Sequence, residues 1–117
     1  MTAAVAFDFA ASKVVVIGAS RAGIGAAIAR TFQDAGADVE ITGVEPACAP
    51  EDAKRFAYTQ LDVTDTSAVD TFAATRAHVD VLVNCAAITQ RGEEMAPAFF
   101  SHVLDVNLTG SLRCAQA

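Results

Sequence analysis

Hydrophobic positions change their spacing several times along the chain, and each change predicts a change of secondary structure. The run from Val14 to Ile17 is apolar and β-branched at every position and is followed at once by Gly18, which predicts a strand buried on both faces. From Ile24 to Ala35 the spacing becomes three or four residues, which predicts an amphipathic helix with its apolar stripe towards the core. The stripe consists of Ile24, Ala27, Ile28, Phe32 and Ala35. Gly36 supplies the left-handed residue that ends such a helix.

The rest of the chain continues the alternation of strands and helices. The predicted segments are an alternating strand at 38–42, a loop at 44–55 with room for one helical turn, a strand at 56–61, a helix that follows an N-cap at Asp65, a strand at 79–84, a loop at 85–94, and a helix from near Met95 to the end. Val69, Phe72 and Ala73 form the inner stripe of the middle helix. The last helix is apolar on more than one face, so it is expected to pack on two sides.

Strands that alternate with helices at this spacing are typical of a parallel sheet with right-handed crossovers. A chain of 117 residues is long enough for one domain with a modest core and too short for two. The pattern therefore predicts an α/β protein, in which residues 1–117 form a single domain around a doubly wound parallel sheet of about four strands.

Composition narrows the classes of function. The net charge is −6 and the eight basic residues are scattered, which argues against a nucleic-acid-binding surface. Cys48, Cys85 and Cys114 are far apart and form no CxxC pair, so free thiols are expected and neither a disulfide framework nor a metal site is indicated. His78 and His102 have no matching partners, and a surface or core role is expected for both.

Targeting signals are absent from the sequence pattern. The first twelve residues contain no Lys or Arg and are interrupted by Asp8, which is unlike a secretory signal peptide. The runs without a charge are shorter than the ~20 residues that a membrane helix needs. We therefore expect a cytoplasmic protein that does not enter a membrane.

A glycine-rich turn is the first candidate for chemistry. Gly18, Gly23 and Gly25 lie between the predicted first strand and first helix, where a backbone without Cβ atoms lets a phosphate reach the helix N-terminus. A glycine-rich turn without any ligand is the alternative. The first two glycines are five residues apart, unlike the GxGxxG fingerprint, and no Gly-Lys-Ser/Thr follows, unlike a P-loop.

The wide glycine spacing resembles the TGxxxGxG loop of short-chain dehydrogenases/reductases. Ile17 stands where that loop has Thr, and one additional residue lies between the first two glycines. The resemblance implies a Rossmann-like doubly wound fold that binds the pyrophosphate of NAD or NADP. Residues 1–117 are expected to contain this domain incompletely, truncated after about four strands. The residues that the resemblance implicates in this loop are Gly18, Ser20, Arg21, Gly23, Ile24 and Gly25.

Two strand ends resemble further segments of the same family. Asp62 and Val63 resemble its DV segment, whose Asp holds the adenine amino group, although Asp62 could instead cap a turn. Residues 84–87 resemble its NNAG segment, with Cys85 and Ala87 departing from it. The resemblance implies that the backbone at Ala86 and Ala87 runs beside the adenosine ribose and that the Asn84 side chain braces the sheet. An ordinary turn residue is the alternative for Asn84.

The last helix contains VNLTG at 106–110, which resembles the family segment whose Asn belongs to the catalytic tetrad. The resemblance implies that the backbone carbonyl of Asn107 holds a water in a proton relay. An Asn within an apolar helix is unfavourable unless it is hydrogen-bonded. A structural or relay role is therefore expected for Asn107.

The choice between NAD and NADP depends on the end of the second strand. Relatives that prefer NAD carry an acid at the position of Gly43, and relatives that prefer NADP often carry an Arg at that of Val44. Arg21 could pair with a 2′-phosphate, whereas Glu45 could accept the ribose hydroxyls of NAD. We expect a small preference for NAD because the Arg is missing.

The family's acid/base pair is not found in these residues. The reaction needs a Tyr followed four residues later by a Lys, but Tyr58 is the sole tyrosine and Asp62 follows it. The chain is therefore expected to be the N-terminal, cofactor-binding part of an oxidoreductase that acts on a small alcohol or ketone. It is expected to be inactive and self-associating on its own, with an unpaired edge at the fourth strand. A non-catalytic dinucleotide-binding or scaffold module is the alternative, and family members are commonly dimers or tetramers.

Overall fold

A computed structural model describes residues 5–93 and 95–117. The elements are, in chain order, β1 (Lys13–Ile17), α1 (Ile24–Asp34), β2 (Asp38–Gly43), α2 (Pro50–Ala53), β3 (Ala57–Gln60), α3 (Thr66–Ala74), β4 (Val81–Asn84), α4 (Pro97–Leu104), a π-helical segment (Asp105–Thr109) and α5 (Gly110–Gln116). The described part of the chain contains no helix long and apolar enough to cross a membrane. Within the same residues, no group of three or more His, Cys, Asp or Glu side chains is placed to bind a metal.

The four strands form one parallel sheet in the order β3-β2-β1-β4. Val15 of β1 is paired with Glu40 on one side and with Leu82 on the other. The chain builds outwards from β1 to β3 and then returns to place β4 on the other side of β1, so the strand order reverses between β1 and β4. The predicted Rossmann-like α/β fold is confirmed, and the carboxyl ends of all four strands meet at one edge.

The strand predicted at 38–42 is β2, and both of its faces are buried. Val39 and Ile41 pack on one side of β2, but Glu40 and Thr42 on the other side are only 7% and 0% exposed. Burial on both sides follows from the position of β2 inside a sheet that is covered by helices on both faces. Glu40 is tolerated there because its carboxylate pairs with Arg76 from just beyond α3.

The predicted stripe of α1 lies partly against the core and partly on an open surface. Ile28 and Phe32 are half-buried and pack against the core. Gly25, Ala26 and Ala29 pack against the strands, because small residues allow the helix to approach the sheet closely. Ile24 is 78% exposed. The larger side chains form one wall of an open apolar groove of about 630 Å³, and Phe9 packs edge-on against Phe32 within it at 4.9 Å between ring centroids.

The remaining elements follow the predictions with shifted boundaries. Asp65 caps α3 by accepting a hydrogen bond from the Ala68 amide at 3.0 Å, and Gly36 has a φ of 98° after α1. The strands predicted at 56–61 and 79–84 are each shorter, at Ala57–Gln60 and Val81–Asn84.

The helix predicted from Met95 instead begins at Pro97, and it is interrupted by the π-helical segment at Asp105–Thr109. At Gly110 the chain lies close to the loop after β3, as shown by a Cβ there, which would be 2.5 Å from Val63 Cγ2. Cys48, Cys85 and Cys114 carry free thiols.

Candidate functional site

A crevice of about 530 Å³ opens at the carboxyl edge of the sheet. Its walls come from the ends of the strands and the loops that follow them, from the start of α1, and from one side of α4 and the π-helical segment. Such a crevice, at the point where the strand order reverses, is where parallel α/β sheets bind their ligands. The sequence-predicted residues that line it are Gly18, Ser20, Arg21, Gly23, Ile24, Gly25, Gly43, Asp62, Val63, Ala86 and Ala87. Asn84 and Asn107 are predicted site residues that do not line it.

Two of the loop glycines are required by packing. Gly18 has a φ of 88°, and a Cβ there would be 2.4 Å from the Ala86 amide nitrogen. A Cβ on Gly25 would be 2.3 Å from the carbonyl oxygen of Gly18. Both distances are far shorter than a carbon contact allows, so these glycines bring α1 and the loop after β4 against the end of β1.

Gly23 differs from its two neighbours. Its backbone is extended, with φ 167°, and a Cβ would meet only the Arg21 carbonyl oxygen at 4.0 Å. Protein packing therefore does not require a glycine here. Gly23 precedes α1, whose N-terminus has no side-chain cap and no acidic residue in its first turn. A helix end of this kind has free N–H groups and a positive partial charge, which suit a phosphate.

Glu45 organises the side of the crevice next to β2. Its carboxylate accepts a hydrogen bond from the Ser20 hydroxyl and pairs with Arg21, with Oε1 2.6 Å from the Arg21 Nε. The backbone carbonyl of Glu45 accepts a hydrogen bond from the Tyr58 hydroxyl. The bond from Ser20, helped by the charge of Arg21, holds the pKa of Glu45 below its ordinary value despite partial burial.

Gly43 leaves the space that this arrangement needs. A Cβ on Gly43 would be 2.3 Å from both Cβ and Oγ of Ser20. Because Ser20 is bonded to Glu45, an acid at position 43 would displace the whole group. Glu45, two residues after Gly43, is the carboxylate that lines this side of the crevice.

Asp62 caps the turn after β3. Its Oδ1 accepts hydrogen bonds from the Thr64 amide at 2.9 Å and from the Thr64 hydroxyl at 2.7 Å. These bonds lower the pKa of Asp62, and positive charge on His102 and Arg113 acts in the same direction. Oδ1 therefore caps this turn, and Asp62 also lines the crevice.

The two asparagines support the crevice from behind. Asn84 Nδ2 donates to the Ser111 carbonyl at 3.4 Å, which links β4 to α5. Asn107 forms a pair of hydrogen bonds with the backbone of Ile88: Oδ1 accepts from the amide at 2.7 Å and Nδ2 donates to the carbonyl at 2.9 Å. Ile88 lines the crevice, so the side chain of Asn107 positions one of its walls.

Sequence reasoning did not assign several residues that line the crevice. They are Ile17, Val44, Leu61, Cys85, Ile88, His102 and Val106. Most are direct neighbours of residues that were predicted. His102 is not, since it lies on α4; its spacing of four residues from Val106, next to the predicted Asn107, is the only sequence signal that could have found it.

The region that forms this fold and crevice matches a known family over almost its whole length. Residues 12–117 match the family model described as short chain dehydrogenase. The chain belongs to this family. A solved structure described as a short chain dehydrogenase/reductase family protein is 29% identical to it, with a TM-score of 0.83 over 95% of this chain and 49% of that chain. This short-chain dehydrogenase chain therefore spans about half the length of that relative, and the family generally binds NAD(P).

Proposed function

We propose that the chain forms the dinucleotide-binding part of an NAD(P)-dependent oxidoreductase that acts on an alcohol/carbonyl pair. The observation that carries this proposal is the open backbone at Gly23, beside the uncapped N-terminus of α1. A glycine that packing does not require, at a helix end suited to an anion, is best explained by the space that a pyrophosphate needs. Family membership supports the same conclusion.

Each wall of the crevice has a proposed role. The backbone at Gly23, Ile24 and Gly25 binds the pyrophosphate, and Asp62 with Val63 holds the adenine. The backbone at Ala86 and Ala87 runs beside the adenosine ribose. Gly18, together with Gly25, keeps these segments in contact. When bound, the dinucleotide supplies the hydride acceptor or donor of the reaction.

Asn107 is proposed to take part in proton transfer, whereas Tyr58 is not. We propose that the Asn107 carbonyl holds a water in the proton relay, since its side chain is already committed to Ile88. Tyr58 is unsuited as an acid/base because its hydroxyl is bonded to the Glu45 carbonyl. Its pKa is raised by burial and by the Glu45 charge. These 117 residues alone are therefore proposed to turn over no substrate. A non-catalytic dinucleotide-binding module is the second candidate, and the bonded hydroxyl of Tyr58 supports it.

We propose that NAD is bound in preference to NADP. Glu45 places a carboxylate at the crevice beside Gly43, where it can accept ribose hydroxyls and repel a 2′-phosphate. The same carboxylate pairs with Arg21, so the charge that could have attracted that phosphate is compensated. Ser20 and Tyr58 hold Glu45 in this position.

Calorimetric titration of the protein with NAD, NADP and their reduced forms tests both parts of the proposal. NAD is expected to bind, and to bind more tightly than NADP. Absence of binding to any of the four dinucleotides would overturn the proposed function. Binding with NADP favoured tenfold or more, which is about 1.4 kcal/mol, would overturn only the preference.

A further inference from the structure

Helix α4 contributes one aromatic ring to the crevice. His102 and Val106 both line it and are four residues apart, which places them on the same side of a helix. Val106 is 8% exposed and belongs to the core cluster that contains Val63. The packing of Val106 therefore fixes the position of His102 one turn earlier, towards the loop that holds Asp62.

The electrostatics of Asp62 support this proximity. After its bonds with Thr64, the carboxyl group has its pKa lowered further by positive charge on His102 and Arg113. Arg113 is engaged elsewhere, because its guanidinium donates to the Val63 carbonyl at 3.0 Å and pairs with Asp105 at 2.6 Å. His102 forms no ion pair of this kind within residues 5–93 and 95–117, and it is exposed.

We propose that the imidazole ring of His102 stacks on the adenine of the bound dinucleotide and positions it against Asp62 and Val63. This inference rests on the proposed function. Among the described residues that line the crevice, His102 is the only one with an aromatic ring. The surrounding side chains at this end, Leu61 and Val106, are aliphatic and can contact the edges of a base, whereas His102 offers a flat π surface.

The position of His102 also makes the proposal easy to test. His102 is exposed, so its replacement removes little packing. His78 is a matched control: it is also exposed, and it lies just before β4, next to Asp80 at the amino end of the strand and away from the crevice.

The experiment compares the wild type, His102→Ala, His102→Phe and His78→Ala by calorimetric titration with NAD, AMP and nicotinamide mononucleotide. His102→Ala is expected to weaken NAD and AMP about tenfold, the effect of losing one base–aromatic stack. Nicotinamide mononucleotide is expected to be unaffected in every variant. His102→Phe, which keeps a ring, and His78→Ala are expected to retain wild-type affinity for AMP.

Two results would overturn the stacking role while leaving the proposed function intact. One is unchanged AMP affinity in His102→Ala when the wild type binds AMP and NAD. The other is an equal loss of affinity for AMP and nicotinamide mononucleotide, which would indicate a general disturbance of the crevice. Failure of the wild type to bind NAD and AMP at all would overturn the proposed function and this inference together.

Discussion

At the scale of single residues, one short loop contains glycines that are needed for different reasons. Gly18 and Gly25 are required because a Cβ would collide with neighbouring backbone. Gly23 has open space where its Cβ would be. Glycine is therefore required by protein packing at positions 18 and 25, and at position 23 it is proposed to leave room for the ligand.

Gly23→Val is expected to weaken NAD binding roughly a hundredfold while leaving the fold intact. Loss of two charge-assisted hydrogen bonds to the pyrophosphate, together about 3 kcal/mol, accounts for that magnitude. Calorimetry measures the affinity, and circular dichroism with thermal melting checks the fold. Gly25→Val is the contrasting variant and is expected to unfold, because its Cβ would be 2.3 Å from the Gly18 carbonyl oxygen. Wild-type NAD affinity in Gly23→Val would exclude the pyrophosphate from this position.

Glu45→Gln is expected to shift the ratio of NADP to NAD affinity towards NADP by about tenfold, the value of one charge-assisted contact. The variant removes the negative charge, keeps an acceptor for Ser20 and releases the charge of Arg21 for a 2′-phosphate. Glu51→Gln is the matched control, because Glu51 is exposed on α2 and its replacement changes the net charge equally. An unchanged ratio in Glu45→Gln would show that Glu45 does not govern the preference.

At the scale of elements, strands and helices are joined by polar contacts as well as by apolar packing. Asn107 fastens the π-helical segment to Ile88, and Arg76 joins the end of α3 to Glu40 of β2. The Arg76 Nε donates to Glu40 Oε1 at 2.9 Å, and the Thr59 hydroxyl donates to Glu40 Oε2 at 2.8 Å. The guanidinium also lies over the Phe72 ring, 3.6 Å from its centroid.

Arg76→Leu is expected to lower the free energy of unfolding by about 3 kcal/mol, because it leaves the Glu40 carboxylate buried without a cation. The double variant Glu40→Val/Arg76→Leu is expected to recover most of this loss, since no buried charge remains. Urea denaturation measures both. Asp38→Asn, at an exposed pair with Lys13, is the control and is expected to cost about 0.5 kcal/mol or less. If the double variant were no more stable than Arg76→Leu, the loss would come from packing rather than from an unpaired charge.

At the scale of the whole molecule, the β4 edge of the sheet is partly apolar and, within the part of the chain that the structure describes, unpaired. On the inner side β4 pairs with β1, and no strand among the described residues pairs with its outer side. Leu82 is 37% exposed on this strand. The helices that follow also carry exposed apolar side chains, namely Phe100, Leu104, Leu108 and Leu112. An unpaired apolar edge favours association with another chain.

Residues 1–117 purified alone are therefore expected to self-associate and to show no NAD(P)H-linked turnover of alcohols or ketones. Analytical ultracentrifugation measures the association, and absorbance at the nicotinamide band measures turnover. Leu82→Lys should reduce the association by placing a charge at the β4 edge. Met95→Lys is the control, because Met95 is 84% exposed outside the strands. A monomer with measurable turnover would contradict both expectations.

The order of elements and the position of the crevice could be predicted from the sequence because both depend on local signals. The apolar run of β1 and the glycines behind it determine a strand, a turn and a helix in succession. Parallel strands then bring their carboxyl ends to one edge, so residues that follow different strands, such as Gly18, Gly43 and Asp62, meet in one crevice.

The tertiary structure decided which side chains of α1 and β2 are buried. The apolar spacing in α1 correctly predicted a helix in which Ile28 and Phe32 pack against the core. It did not predict that Gly25, Ala26 and Ala29 are the fully buried residues, because only small residues let the helix approach the sheet closely. Glu40 has the polar character of an exposed residue, yet it is buried because Arg76, 36 positions later, reaches its carboxylate. Neither outcome is contained in a local pattern, since each depends on which element lies opposite.

The candidate site also has one part that could be predicted from the sequence and another that depended on the folded structure. Gly23, Asp62 and their neighbours could be proposed from the sequence, because local motifs at the strand ends resemble segments of the family. The partnership of Glu45 with Ser20 and Arg21, and the presence of His102 in the crevice, depended on the folded chain. The physical reason is that a sequence pattern specifies what each segment can form, whereas contacts between distant segments exist only after the sheet has brought their ends together.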